Sequence, residues 1–156
     1  MMVNPHMIAA QRVTLRVPSA PTIAGASDTP MGPIGMAING VVFFNQYAAR
    51  QQPLTFEIES FDRFNGHPAP GDLYHYHLEP VWLTRSAPSR LVGVLLDGFP
   101  VYGPMDASGG APVDLDMCHG HVAATPEFPG GIYHYHATEV APYISGCFRG
   151  QPGTVG

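Results

Sequence analysis

The sequence contains no lysine, one tryptophan and only two cysteines, and charged residues make up 12% of its 156 positions. All seven positive side chains are arginine, which we read as coding bias or lineage before function. With a formal net charge of −5 and no basic cluster, the chain is a poor partner for nucleic acid. No apolar run is long enough to cross a bilayer. The N-terminus has neither a charged nor an apolar leader region, so no signal peptide is visible, and Met1-Met2 reads as a start placed after a removed signal. A phosphate-binding glycine loop, a nucleophile elbow and a helical zinc-protease motif are also missing. Ser145-Gly146-Cys147 has no further sign of a nucleophilic triad around it.

Glycine (18) and proline (17) are plentiful, and they are dispersed among hydrophobic runs. That balance suits short strands joined by tight turns and argues against both a helical bundle and a disordered chain. The length fits one domain with a proper core.

The tetrapeptide Tyr-His-Tyr-His occurs twice, at 74–77 and 133–136. Each copy ends a longer matched passage. Pro70-Gly71 corresponds to Pro129-Gly130, and Asp62 with Gly66-His67 corresponds to Asp116 with Gly120-His121. Upstream, Gly35, Ile38 and Asn39-Gly40 correspond to Gly93, Leu96 and Asp97-Gly98. The chain is therefore a tandem duplication, and six of its eight histidines fall on the template. We divide it into a leader strand and linker (1–31), repeat one (about 32–83), repeat two (about 90–150) and a loose tail (151–156). The expected fold is all-β or β-rich α+β, a single domain built from two pseudo-symmetric β repeats.

Each repeat opens with a hairpin signal, Asn39-Gly40 or Asp97-Gly98, which suits a type I′ turn between buried strands. Pro100 is expected to confine its strand to an edge or a bulge. Residues 55–61 alternate enough for a further strand, and only 46–52 looks briefly helical. In Tyr-His-Tyr-His, β-prone tyrosines and strict alternation predict a strand. His75 and His77 then share one face with their backbones about 7 Å apart, and Tyr74 and Tyr76 share the other. The same holds for His134 and His136 against Tyr133 and Tyr135.

A third histidine from the Gly-His turn, His67 or His121, would complete a three-histidine metal site, either one per repeat or pooled. The competing reading is a set of histidines stacked in a hydrogen-bonded core. Asp62 and Asp116 are either carboxylates that orient the imidazoles or simple turn formers. His119 stands where the first repeat has Asn65, as an extra ligand or an exposed residue, and His6 receives no role. Glu79 and Glu127 are candidate general bases. Cys118 and Cys147 flank the second Tyr-His-Tyr-His. A disulfide between them would contribute roughly 3–4 kcal/mol in the chain-entropy model and would place the protein in an oxidising compartment. A thiolate metal ligand is the alternative.

These residues make the chain resemble the YHYH domain family. The resemblance rests on residues 35–40, Gly66-His67-Pro68, residues 96–100 with Tyr102-Gly103-Pro104, residues 133–136, Pro142-Tyr143 and residues 146–150. It implies an exported protein, extracellular or periplasmic, with Cys118 and Cys147 joined, and it supplies no reaction. Relatives tend to carry cysteines in the first repeat as well, where this chain has Phe64 and Trp82, so an aromatic contact is expected in place of that bridge.

The combined expectation is an exported protein binding a transition metal through His67, His75, His77, His121, His134 and His136. Copper comes first and zinc second. A copper-dependent oxidoreductase tuned by Tyr133 and Tyr135 is favoured over a zinc-type hydrolase with Glu127 or Asp116 as base. A metal carrier or a surface binding module without turnover is the remaining alternative, and oligomer formation stays open.

Overall fold

The computed structural model describes residues 4–156; residues 1–3, and with them the Met1-Met2 start, lie outside the described residues. Strands run in chain order β1 (Leu15–Arg16), β2 (Gly35–Ala37), β3 (Val42–Phe43), β4 (Tyr47–Ala48), β5 (Gln52–Pro53), β6 (Gly66–Pro68) and β7 (Tyr74–Tyr76). One helical turn, α1 (Val81–Thr84), leads to β8 (Leu91–Leu95), β9 (Pro100–Tyr102), β10 (Gly120–Ala123), β11 (Ile132–His136) and β12 (Thr154–Val155).

Eight strands form one mixed sheet in the order β10-β11-β9-β8-β2-β3-β7-β6. The order reads the same from either edge inward. Each repeat contributes a hairpin, then a Tyr-His-Tyr-His strand parallel to the hairpin's second strand, then an antiparallel edge strand. The repeats meet where β2 pairs antiparallel with β8, Met36 opposite Val94, so an approximate twofold passes between them. The fold is β-rich, in one domain, as the duplicated sequence implied.

The core lies on the tyrosine side of this sheet. Ile34, Phe43, Leu95, Val101 and Ile144 pack there with Tyr76, Tyr133 and Tyr135 and are almost wholly buried. A smaller cluster of Leu54, Phe61 and Leu78 supports the first repeat's loops.

Local readings needed correction in several places. In both hairpins only the glycine is left-handed, with Gly40 at φ +83° and Gly98 at φ +85°, so the turn is not type I′. Gly40 N donates to Ala37 O at 2.9 Å and Gly98 N to Leu95 O at 3.0 Å, the three-residue loop that closes on a left-handed glycine. Asn39 and Asp97 are thereby freed to bond the sheet's tyrosines. β9 is an interior strand, not an edge, and its pairing with β8 carries a bulge-like register shift between Leu91 and Gly93; Pro100 occupies its first residue, where a donor can be spared. Residues 46–52 form the small β4–β5 hairpin around a left-handed Arg50 (φ 60°). Residues 55–61 form turns and a 3-10 segment, Glu57–Ser60, instead of a strand. The leader strand shrinks to β1, which pairs with β12, so the tail is held at Leu15↔Val155 and by Gly153 N donating to Leu96 O.

Candidate metal centres

The register of the edge strands assembles two histidine triads. In the β10–β11 pair His121 stands directly opposite His134, and in β6–β7 His67 stands directly opposite His75. Opposed residues of an antiparallel pair share a face, and the last histidine of each tetrapeptide, two residues on, joins them. In the second repeat the three Nε2 atoms form a nearly equilateral triangle: His121–His134 3.2 Å, His121–His136 3.1 Å and His134–His136 3.1 Å. In the first, His75 Nε2 and His77 Nε2 are 3.0 Å apart. The two triads remain separate, one per repeat.

Each triad also receives a carboxylate that the sequence reading missed. Glu57 Oε1 lies 2.9 Å from His67 Nε2 and 3.4 Å from His77 Nε2. Asp106 Oδ1 lies 3.3 Å from both His121 Nε2 and His136 Nε2. Glu57 precedes its Gly-His histidine by ten residues and Asp106 by fifteen, so alignment of the repeats could not pair them. Within each group of four, the ligand atoms all lie within 4.8 Å of one another, so each group could hold a metal ion.

The outer ring nitrogens fix the tautomers of five rings. His75 Nδ1 faces Leu73 O at 3.0 Å, His77 Nδ1 faces Asn45 O at 2.6 Å, His134 Nδ1 faces Ile132 O at 2.9 Å and His136 Nδ1 faces Gly103 O at 2.7 Å. A carbonyl only accepts, so each of these Nδ1 atoms must carry the proton. His121 Nδ1 meets the Asp114 carboxylate at 2.6 Å, with the same consequence. His67 Nδ1 lies 2.7 Å from Ser60 Oγ, which donates to Glu57 O, and 3.3 Å from Asn4 Nδ2, which can only donate, so its contacts do not fix a tautomer. In the other five rings the inward Nε2 of the neutral form is thus a bare lone pair. His67 Nε2 is buried without a well-directed hydrogen-bond partner, although Glu57 is close by.

At three of the six rings burial opposes protonation. Burial, with His77 beside it, pushes His75 down to about 3. Burial likewise pushes His134 down to about 4 and lowers His136. Burial would raise the Glu57 carboxyl, but hydrogen bonds donated by His67 and His77 once they carry an added proton outweigh it and hold it at about 2. Neutral imidazoles and ionised carboxylate are the states a metal ion requires.

Asp62 and Asp116 do not touch these rings. Each closes a turn, Asp62 accepting from the backbone N–H groups of Phe64 and Gly66, Asp116 from those of Cys118 and Gly120. Each also takes the hydroxyl of the first tyrosine, Tyr74 at 2.7 Å or Tyr133 at 2.9 Å. The glycine before each ligand histidine makes room for that tyrosine, since a Cβ on Gly66 or Gly120 would collide with the Tyr74 or Tyr133 ring and hydroxyl. The second tyrosines bolt onto the hairpin turns: Asn39 Nδ2 donates to Tyr76 at 3.1 Å, and Tyr135 donates to Asp97. Every residue of the repeated motif thus has a place, histidines toward the site and tyrosines toward the core.

The YHYH protein family matches residues 14–112 and 105–150. The chain belongs to this family. No curated protein and no solved structure matches it.

In this YHYH protein the role expected of Asp62 and Asp116 falls to the residues two positions earlier. Ser60 and Asp114 each stand seven residues before the third histidine and hold its Nδ1. Tyr133 and Tyr135, proposed from sequence as catalytic, lie on the opposite face with their hydroxyls engaged, and burial raises both well above the usual phenol range. Glu127 accepts from Tyr102 at 2.9 Å, and it is the Tyr102 ring that packs against His134. Glu79 is tied to Thr84. His119 is buried and bonds Thr138 at 3.0 Å; it and Asn65 share a left-handed backbone. Cys118 and Cys147 form a disulfide, Cα atoms 4.6 Å apart, which removes the thiolate alternative. Phe64 and Trp82 pack edge to face at 5.2 Å in the first repeat. Among the described residues no helix is long and apolar enough to cross a membrane.

The Asp-Tyr-Gly lock gives a stability prediction. Gly120→Ala forces Tyr133 off Asp116 and is expected to destabilise the fold by about 2–3 kcal/mol, as for an overpacked core. Urea denaturation measures this, and a wild-type midpoint would contradict it.

Proposed function

We propose that this chain is an exported protein holding two transition-metal ions, one per repeat. His67, His75, His77 and Glu57 form the first site, and His121, His134, His136 and Asp106 the second. The observation that carries the reading is the tautomer pattern. Five rings, His75, His77, His121, His134 and His136, have their outer nitrogens committed as donors, which aims their inner lone pairs at a common point in each repeat without a proton to share. In a hydrogen-bonded histidine core, neighbouring rings would alternate donor with acceptor. Carbonyls and carboxylates behind each ring are the usual outer partners of metal-bound histidine. The disulfide supports an oxidising, exported setting.

Zinc is the favoured ion and copper(II) the second. Nε2 separations of 3.1–3.2 Å suit the triangular face of a tetrahedron, whereas a square plane would set one pair about 4 Å apart at bond lengths near 2.0 Å. Copper-based oxidation supported by Tyr133 and Tyr135 loses ground, because both phenols face the core. Zinc so held supplies Lewis acidity to a donor atom that reaches it. The chain's own contribution is to fix the six rings, keep His75, His134 and His136 neutral and hold Glu57 and Asp106 in place. Elemental analysis of protein purified from its native compartment tests the reading, with two ions per chain expected and zinc predominant. A metal-free protein that takes up neither zinc nor copper on dialysis would refute it.

A further inference from the structure

The two centres share a frame but differ in what surrounds them. A cavity of about 560 Å³ opens on the first, touching Glu57, His67, His75 and His77. Its remaining wall is largely apolar, with Pro5, Met31, Phe44, Tyr47, Phe56 and Pro70. Phe44 stacks on His75 at 3.8 Å, and Phe56 stands exposed beside Glu57. Glu57 is the only Asp, Glu, Lys or Arg side chain among the described residues of that wall.

The loops explain this cavity. In the first repeat, β4, β5 and the 3-10 segment after β3 bring Tyr47, Phe56 and Glu57 to the site together. The leader, to which the sequence assigned no function beyond a strand, forms another side. Asn4 Nδ2 donates to Pro68 O at 2.9 Å and Met7 N to Asp72 Oδ1 at 3.1 Å, which sets Pro5 and His6 on the wall. In the second repeat the matching connection supplies carboxylates, Asp106 on the triad and Asp114 on His121 Nδ1. Asp114 occupies the position where the first site has the neutral Ser60. A divalent ion would thus be offset by one carboxylate at the first centre and by two at the second. The first keeps a net positive charge facing an apolar chamber, and the second is neutralised.

We propose that the first centre is the ligand-accepting site of the protein, and that its ligand is a small, uncharged aromatic molecule with one nitrogen or oxygen donor. The inference rests on the metal reading above. The ring packs among Phe44, Tyr47 and Phe56, and the donor atom joins Glu57 and the three histidines as a fifth ligand of the ion. The size matches that of small-molecule pockets in general, about 300–1,000 Å³, and apart from His6 the wall offers a charged ligand no counter-ion beyond the centre itself. The second centre is a structural tie for the edge of repeat two, beside the Cys118–Cys147 bridge.

The test uses the full chain loaded with cobalt(II), whose visible bands report ligands directly, titrated with 4-phenylimidazole and with imidazole. 4-Phenylimidazole is expected to bind at least tenfold more tightly than imidazole. Ala69→Trp, which fills the cavity from a wall position, should abolish that preference while two ions stay bound. Phe56→Ser, on an exposed turn, should reduce it several-fold. His75→Ala/His77→Ala should remove the spectral response, and His134→Ala/His136→Ala should retain it. Two bound ions with no preference for the phenyl ring, or a preference that survives Ala69→Trp, would overturn the inference and leave the metal reading intact. Failure to take up metal would overturn both.

Discussion

His134→Ala/His136→Ala protein is expected to bind one metal ion where the wild type binds two. The remaining pair at the second centre, His121 and Asp106, lacks the two imidazoles that complete the triangle of 3.1–3.2 Å contacts. A chelate built on one histidine and one carboxylate does not compete with buffer, so the expected loss of affinity there is more than a thousandfold. His75→Ala/His77→Ala should empty the first centre equally, because the Glu57 group is separate from the Asp106 group. Isothermal titration with zinc and copper on all three proteins gives the stoichiometries. Tyr133→Phe provides the contrast: its hydroxyl serves Asp116 on the core face, so it should lower stability by about 1–2 kcal/mol and leave both stoichiometries unchanged. Equal binding by the wild type and the double variants would return these histidines to a purely structural role.

The second large effect concerns the metal-free chain. Removing both ions should lower stability by several kcal/mol, since a ligand at a thousand times its dissociation constant contributes about 4 kcal/mol. What is left should depend steeply on acidity. Burial holds His75 at about 3 and His134 at about 4 in the folded chain, whereas an unfolded histidine titrates near 6.5. Between pH 6.5 and about 4 the unfolded chain therefore binds protons that the folded chain refuses. Stability is complete above pH 6.5 and declines as pH falls, by up to about 1.4 kcal/mol per pH unit for each such histidine. Urea midpoints of the chelator-treated protein between pH 7 and 4.5 measure the slope. A flat profile would mean that the rings are not buried neutral.

A period-two pattern was enough to place the histidines. In Tyr-His-Tyr-His, alternation alone sends imidazoles to one face and phenols to the other, and the duplicated Gly-His marks the strand that must lie opposite. The sheet's symmetry was legible for the same reason, since two copies of one set of local signals build two copies of one unit. The Phe64–Trp82 contact and the disulfide were also anticipated, from the matched positions of Phe64 and Cys118 and from the family resemblance. For Asp62 and Asp116 two readings stood level, an orienting carboxylate and a turn former, and their contacts fit the turn former. Their spacing is set by a turn and a tyrosine, while Ser60 and Asp114 two residues earlier reach the rings. Glu57 and Asp106 could not be seen, because loops of different length and conformation deliver them and no periodicity links them to His67 or His121. The cavity was equally hidden, being made by the leader, a short hairpin and a 3-10 segment that meet only after folding. Local alternation and repetition thus determined the strands of the duplicated sheet, the histidine faces and the twofold frame. Only tertiary structure decided which carboxylate joins each histidine triad and which triad faces a pocket, because side chains far apart in sequence converge through chain reversals that local patterns do not encode.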